Sequence, residues 1–223
     1  MSDDGFFREV NEELRSDRVK EFWDRFGALI IGGAIALVLG TAGFVFYEYW
    51  NERKASQSGD QFLAALTLAR DGKSDEALAA LETLEKEGHG AYPVLARMRA
   101  ATLLVQKGDV QGGIAAFDEV SKDNAVPQSI RDIARLRAAL LLVDHGSYDD
   151  VAARAEILSA DGNPMRHIAR EAMGLAAWKA GRSEDATKLF QQIADDAASP
   201  ANARQRANTM LDLIRSSGAA VAG

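Results

Sequence analysis

Three histidines, His89, His145 and His167, are the side chains of this sequence best suited to metal binding or general acid–base catalysis. None of them has a second histidine three to five residues away, the spacing that places two imidazoles on one helix face. The first lies between two glycines, the second precedes a predicted turn glycine, and the third lies among arginines. The chain also has no cysteine, which excludes disulfides, thiolate metal ligands and cysteine nucleophiles. We therefore expect no metal site.

Two acidic pairs and two glycine pairs are the remaining groups with potential chemistry. The acidic pairs are Asp149-Asp150 and Asp195-Asp196, and the glycine pairs are Gly32-Gly33 and Gly112-Gly113. The acidic pairs fall at predicted helix openings or loops, where carboxylates are ordinarily solvated. The glycine pairs lack the Gly-Lys-Ser/Thr sequence and the preceding strand of a phosphate-binding loop. Because no nucleophile, base and stabilising group occur together, the sequence predicts a non-enzyme with no cofactor and no small-molecule substrate.

The amino-acid composition indicates the fold class and excludes one class of partner. With 223 residues, of which 47% are apolar and 26% charged, the chain can bury a core and form at most two domains. Aromatic residues make up 7%, and alanine and leucine recur throughout, which favours an all-α fold. The net charge of −7 indicates no basic surface suited to phosphates, so nucleic acid is not an expected partner.

An uncharged segment near the N-terminus predicts a single transmembrane helix at residues 27–50. Residues 27–47 correspond to roughly 31 Å of helix, the thickness of a hydrocarbon core. Aromatic residues flank the segment at both ends, as expected for rings that favour the headgroup level. A secretory signal peptide is the alternative, since Ala34-Ile35-Ala36 resembles a cleavage site. The apolar run, however, is longer than a signal core and continues past that triplet.

The charges around the span predict its orientation. Residues 1–26 contain five lysines and arginines, whereas Arg53 and Lys54 are the two that closely follow the span. The positive-inside rule places the short N-terminal segment in the cytoplasm and the rest of the chain in the periplasm of a Gram-negative bacterium.

Small residues recur every four positions along one face of the span, a pattern that lets another helix approach closely. They are Ala28, Gly32, Ala36 and Gly40. Small residues are common in membrane spans, so packing against a partner helix and packing without a specific partner both stay open.

The residues after the span contain a repeat anchored on four glycines. Gly72, Gly108, Gly146 and Gly181 are 36, 38 and 35 residues apart, the period of helix-turn-helix solenoids. A small residue stands seven positions before each glycine, and small or apolar residues stand five, nine and twelve positions after it. These positions fall on one stripe of each helix, which a neighbouring helix must cover. Each glycine is expected to supply a left-handed or otherwise permissive backbone that ends the first helix of its pair.

This periodicity predicts an all-α chain in which the transmembrane helix precedes an α-solenoid of about four helix pairs and a C-terminal capping helix. The pairs are expected at 56–88, 92–124, 128–162 and 165–198, and the capping helix at 200–216. The expected domains are a cytoplasmic tail at 1–26, a transmembrane helix at 27–50, a juxtamembrane linker at 51–60, a periplasmic repeat domain at 61–216 and a flexible tail at 217–223.

The repeat columns resemble the tetratricopeptide repeat, with a small residue in the first helix, a turn glycine, and an alanine followed by an aromatic in the second helix. That repeat usually has a tryptophan near the start of the first helix, where this chain has Gln61, Arg97, Arg135 and Arg170. The units are therefore divergent tetratricopeptide-like repeats.

In the order of its parts, the chain resembles the YfgM family. Its points of similarity are Val19-Lys20-Glu21-Phe22 before the span, Tyr49-Trp50-Asn51 after it, and Tyr92-Pro93-Val94-Leu95-Ala96 opening the second pair. The resemblance implies an ancillary subunit of the Sec translocon in the bacterial inner membrane. It also implies that the protein sits beside SecYEG with a membrane-anchored periplasmic chaperone and helps to hand over exported proteins.

In the tetratricopeptide register, the first helices line a concave surface, and the residues expected to face it are mostly apolar. They are Phe62, Leu66, Leu95, Met98, Ile133, Leu136, Leu140, Ile168, Leu175 and Trp178. One hypothesis is a groove that takes an apolar or amphipathic helix of a partner, or an unfolded exported segment. The alternative is that a tightly wound array closes on itself and these residues are core.

Arginines form a second candidate surface at one repeat position. Arg97, Arg135 and Arg170 occupy it, with Arg99 and Arg137 nearby. They either meet an acidic partner or form a solvated face paired with neighbouring carboxylates.

The leading prediction is an inner-membrane-anchored protein-binding scaffold, ancillary to the Sec translocon, that assists periplasmic chaperone hand-over of exported proteins. The alternative is a cell-envelope adaptor for outer-membrane or wall assembly with no role in export.

Overall fold

The computed structural model describes residues 3–221, with the side chains of residues 20, 23–29 and 31–218. Those residues form α-helices and one short 3-10 helix, without a strand, which confirms the predicted all-α fold. The helices are α1 Asp3–Arg70, α2 Ser74–Glu87, α3 Tyr92–Gln106, α4 Val110–Lys122, α5 Gln128–His145, α6 Tyr148–Ala155, α7 Arg166–Lys179, α8 Ser183–Asp195 and α9 Ala201–Val221. The 3-10 helix is Glu156–Leu158.

The chain divides into two compact units, Met1–Ser56 and Gln57–Gly223. Helix α1 begins in the first unit and ends in the second. Residues 51–60, predicted as a juxtamembrane linker, contain this boundary and are helical, since no proline interrupts them. Within the described part of the chain, Trp23–Arg70 is the one helical segment long and apolar enough to cross a membrane, and its most apolar stretch is not buried.

The second unit consists of the predicted helix pairs. The end of α1 pairs with α2, α3 with α4, α5 with α6, and α7 with α8, while α9 packs on α8 as the last helix of the array. Helix α9 ends at Val221 rather than at residue 216. The predicted flexible tail at 217–223 therefore begins within a helix, because its alanines favour helix and no proline stops it. Residues 222–223 lie outside the described residues.

The repeat columns form the interior of each pair. The side chains seven positions before and five, nine and twelve positions after the turn glycines are buried in each of the four pairs. They are Ala65, Ala101, Ala139 and Gly174, then Ala77, Gly113, Val151 and Ala186, then Leu81, Phe117, Ala155 and Phe190, and finally Leu84, Val120, Leu158 and Ile193. Full burial of a leucine or phenylalanine contributes about 1.5–3 kcal/mol, so these columns stabilise the pairs.

The turn glycines do not all act in the predicted way. Gly72, Gly108 and Gly181 have positive φ angles of 80°, 92° and 75°, which favour glycine. Gly146 has a φ of −135°, an extended conformation open to any residue. A Cβ at residue 146 would lie 2.7 Å from Cδ2 of Leu142, so close packing explains this glycine.

The second helix of the third pair is shorter than predicted. Helix α6 starts at a capping box, in which Ser147 and Asp150 satisfy each other's backbone N–H groups, and it has eight residues. Its end tightens into the 3-10 helix Glu156–Leu158. Turn residues follow, and Pro164 disfavours helix at the residue before it. The extended loop that results carries polar side chains to the start of α7.

Candidate protein-binding groove

The ten predicted groove residues lie on the first helices of the pairs, α1, α3, α5 and α7, and they differ in exposure. Leu95, Leu140 and Ile168 are 39%, 42% and 45% exposed. Leu136 is 8% exposed and belongs to the core. The other six, Phe62, Leu66, Met98, Ile133, Leu175 and Trp178, are half-buried. The closed-core alternative therefore holds for one residue and fails for the three exposed ones, while partner binding by this set stays a prediction.

The groove residues are half-buried because one side of each packs against the core of the helix pairs. Met98 packs against the core cluster that extends from α3 to α7, and Leu175 and Trp178 pack against the cluster of α7, α8 and α9. Phe62 lies with its ring centroid 6.1 Å from that of Tyr92. Each side chain thus covers the pair interior on one side and leaves apolar surface on the other.

A cavity opens between the first helices α3 and α5, with a volume of about 270 Å³. Its walls are Thr102, Val105, Phe117, Arg137, Leu140 and Leu141. Most of this lining is apolar, and one of its residues, Leu140, is a predicted groove residue.

Arg137 forms the polar edge of this cavity. Its Nη1 donates to Oγ1 of Thr102 at 3.0 Å, and its guanidinium lies 5.7 Å from the ring centroid of Phe117. The sequence placed Arg137 only near the arginine column. A signal was available, because Arg137 precedes Leu140 by three residues and such residues share a helix face.

The first two arginines of the predicted arginine column have carboxylate partners within the chain. Arg97 donates from Nη1 to Oδ2 of Asp123 at 2.6 Å, and its Nε lies 3.6 Å from Oε1 of Glu85. Arg135 pairs with Asp132 at 3.1 Å. These carboxylates come from the α2 helix, the α4 C-cap and α5 itself. Arg97 therefore joins α3 to the helices on either side of it, whereas the pair of Arg135 stays within α5.

The third arginine of the column is not on a solvated face. The Arg170 side chain is 7% exposed, donates from Nε to the carbonyl oxygen of Ser159 at 3.0 Å, and pairs with Asp161. Both partners lie in the loop that follows the short second helix of the third pair. Arg170 therefore anchors this loop to α7, and the solvated-face interpretation is wrong for it.

Asp196 is the centre of a polar cluster that the sequence did not predict. Its Oδ2 accepts from Nε of Arg166 at 2.8 Å and lies 2.8 Å from Nε2 of His167, while its Oδ1 accepts from the N–H of Ala198 at 2.8 Å. The hydrogen bond from Arg166, followed by those from Ala198 and His167, holds the pKa of the Asp196 carboxyl well below its usual range. The carboxylate ties the C-terminus of α8 to the start of α7, so Asp196 is structural rather than simply solvated.

The other two histidines lie outside this cluster. The N–H of His89 donates to Oγ of Ser58 at 2.9 Å, and His145 is the exposed last residue of α5. Among the described residues, no three His, Asp or Glu side chains come together in a way that could hold a metal ion.

The predicted packing face of the span is exposed. Ala28, Gly32, Ala36 and Gly40 are uncovered, and a Cβ at either glycine would meet no atom within 4 Å. Their role in helix packing stays a prediction.

Paired antiparallel helices with a period of 35–38 residues, a small residue at each crossing and buried columns in register define a tetratricopeptide-like α-solenoid. The chain belongs to the tetratricopeptide repeat-like domain family, whose model matches residues 20–215.

A particular relative is the ancillary SecYEG translocon subunit of Escherichia coli (strain K12). It is 23% identical to this chain over 196 residues, which cover 82% of the chain and 93% of the relative. The match confirms the resemblance to the YfgM family. No solved structure matches the chain.

Proposed function

We propose that this protein is a non-enzymatic, inner-membrane-anchored scaffold that binds proteins beside the Sec translocon. Three observations support the proposal: the tetratricopeptide repeat-like array, an apolar helical segment within Trp23–Arg70 that is long enough to cross a membrane, and the similarity to an ancillary SecYEG subunit over most of both chains. We further propose that residues 1–26 are cytoplasmic and that the repeats are periplasmic, because lysines and arginines are concentrated before the span.

The exposed apolar surface of the first helices is the observation that carries the binding role. Leu95, Leu140 and Ile168 keep about two fifths of their surface accessible on three successive first helices. Surface leucines are ordinary when they are scattered, but a series at equivalent faces of a solenoid suits an apolar or amphipathic partner segment. We propose that such segments belong to SecYEG, to a membrane-anchored periplasmic chaperone, or to exported proteins that the chaperone hands over.

In-cell photo-crosslinking tests this function. A photo-crosslinking residue at Leu140 or Trp178 is expected to form adducts with translocon subunits, the chaperone or exported proteins, identified by mass spectrometry. The matched control is Ile157, which is 65% exposed on the second-helix side of the third pair. Groove adducts with outer-membrane or wall assembly proteins, or equal adducts from the control site, would contradict the proposal.

We also propose that Ala28, Gly32, Ala36 and Gly40 pack against a partner helix in the membrane. Gly40→Leu is expected to weaken co-purification of the partner, since close approach requires small residues. The control is Leu39→Ile on another face, which is expected to have no effect. Equal co-purification of the partner with the natural chain, Gly40→Leu and Leu39→Ile would contradict this packing.

A further inference from the structure

The cavity between α3 and α5 has the size and chemistry to hold a large apolar side chain. Its volume is about 270 Å³, and Val105, Phe117, Leu140 and Leu141 line most of it. An apolar cavity of about 150 Å³ accommodates benzene, so a leucine or phenylalanine side chain of a partner fits here.

Arg137 adds a charge to this cavity that the described part of the chain does not neutralise. None of the ion pairs among the described residues includes Arg137, whereas Arg135 of the same helix pairs with Asp132. A guanidinium has five N–H donors, and one of those of Arg137 donates to Thr102. Exposed donors therefore stay available at the edge of an apolar cavity.

The fork geometry of arginine matches a carboxylate, which it can bind through two parallel hydrogen bonds. The ring of Phe117 beneath the guanidinium and the bond to Thr102 hold the side chain of Arg137 in place, which lowers the entropy lost on binding. Leu140 is three residues beyond Arg137 on the same helix face. A partner helix that matches both residues needs an apolar and an acidic side chain with the same three- or four-residue spacing.

We propose that this cavity binds a helical segment of a partner protein, with one leucine- or phenylalanine-sized side chain inside the cavity and one internal Asp or Glu carboxylate on Arg137. The inference rests on the proposed function as a protein-binding scaffold and names the chemistry of the segment that the groove takes. Charge complementarity selects the segment, and the apolar contact supplies most of the buried area.

The test uses the full chain in lipid nanodiscs and a displayed library of amphipathic helical peptides with one randomised position four residues from a leucine. Selection on the natural chain is expected to enrich Asp and Glu at that position. Selection on Arg137→Gln is expected to lose this preference, and selection on Arg137→Glu to enrich Lys and Arg. Lys122→Gln, which removes an exposed positive charge from α4, is the matched control and is expected to keep the acidic preference.

Direct binding then gives the size of the effect. A selected peptide, synthesised with an amidated C-terminus so that its side chain is the carboxylate tested, is expected to bind Arg137→Gln about tenfold more weakly than the natural chain. Replacing its acidic residue by the amide is expected to have the same effect on the natural chain and little further effect on the variant.

The outcomes separate the two proposals. In one outcome, selection enriches apolar helices without an acidic preference, and this enrichment is lost in Leu140→Gln. That result would overturn the role of Arg137 and leave the groove intact. Enrichment that neither Arg137→Gln nor Leu140→Gln changes, or no enrichment at all, would overturn both the cavity and the groove. Unchanged circular dichroism of both variants ensures that a folding defect is not mistaken for lost binding.

Discussion

The pair interiors and the groove surface use the same helices but differ in how completely their side chains are buried. The interior column on the first helices, Ala65, Ala101 and Ala139, is 0% exposed. Apolar groove residues on the opposite side of the first helices reach 45% exposure. A helix in this solenoid thus has one side committed to its own pair and another side with unused apolar surface.

This difference separates stability from recognition. Removing atoms from a filled interior costs transfer free energy and leaves a cavity, whereas removing atoms from a half-exposed surface costs little. Substitutions in the two regions should therefore affect different measurements, the free energy of unfolding in one case and partner binding in the other.

The largest effect is expected at Phe190, whose side chain is fully buried against α7 and α9. Phe190→Ala is expected to lower the free energy of unfolding by about 3–5 kcal/mol, since it empties a packed site. Thermal unfolding followed by circular dichroism measures this. The substitution Ile157→Ala, at a 65% exposed position, is the control and is expected to change stability little. Equal loss in both variants would contradict the distinction between interior and surface.

A smaller effect on the free energy of unfolding is expected at Gly174, where α7 crosses α8, and its sign is informative. A Cβ there would lie 2.9 Å from Cζ of Phe190, so Gly174→Ala is expected to destabilise the protein by about 1–3 kcal/mol through overpacking. Alanine ordinarily stabilises a helix relative to glycine. Gly218→Ala in α9, where a Cβ meets nothing within 4 Å, is therefore expected to be neutral or stabilising. Stabilisation by Gly174→Ala would show that the crossing is looser than the structure has it.

A pH-dependent effect is expected at Asp196. Because its pKa is lowered on folding, chiefly by Arg166, its carboxylate stabilises the protein above the unfolded pKa of about 4, and this stabilisation is lost as the pH falls below that value. Asp196→Asn is expected to lower the melting temperature at pH 7 and to flatten its decrease on acidification. Asp195→Asn, at an exposed neighbour, is the control. Identical acid profiles of natural chain and Asp196→Asn would contradict this role.

The interior of the fold could be predicted from the sequence because a buried stripe has a fixed period within each helix. Ala65, Ala101 and Ala139 occupy equivalent crossings, and spacing alone identified them as small residues at helix contacts. The short α6 helix was missed because its end tightens into the 3-10 helix Glu156–Leu158 and a turn with Gly162 at a positive φ follows, all before the repeat period ends.

The polar contacts between helices could not be predicted in the same way. Arg166 and His167 meet Asp196 from 30 and 29 positions away, and Arg137 reaches Thr102 from 35 positions away. Such contacts depend on how far one helix is rotated and shifted against its neighbour, within a pair or between pairs, which no period within a helix determines. The same rotation decides which apolar residues stay exposed, so the sequence left the groove and the closed core as alternatives.

The smallest effect on stability, and the sharpest one on function, is expected at Leu140. Because this side chain is 42% exposed, Leu140→Gln is expected to change the free energy of unfolding by no more than about 0.5 kcal/mol. It should nevertheless weaken groove crosslinking and peptide binding, since it makes the cavity wall polar where a partner's apolar side chain must lose its water. Ile157→Gln makes the same chemical change outside the cavity and should leave both unchanged. If Leu140→Gln unfolded the protein as Phe190→Ala does, the groove would be part of the interior. If it changed neither stability nor binding, the exposed apolar surface would have no role in recognition, and the membrane span would be the remaining site for partner contacts.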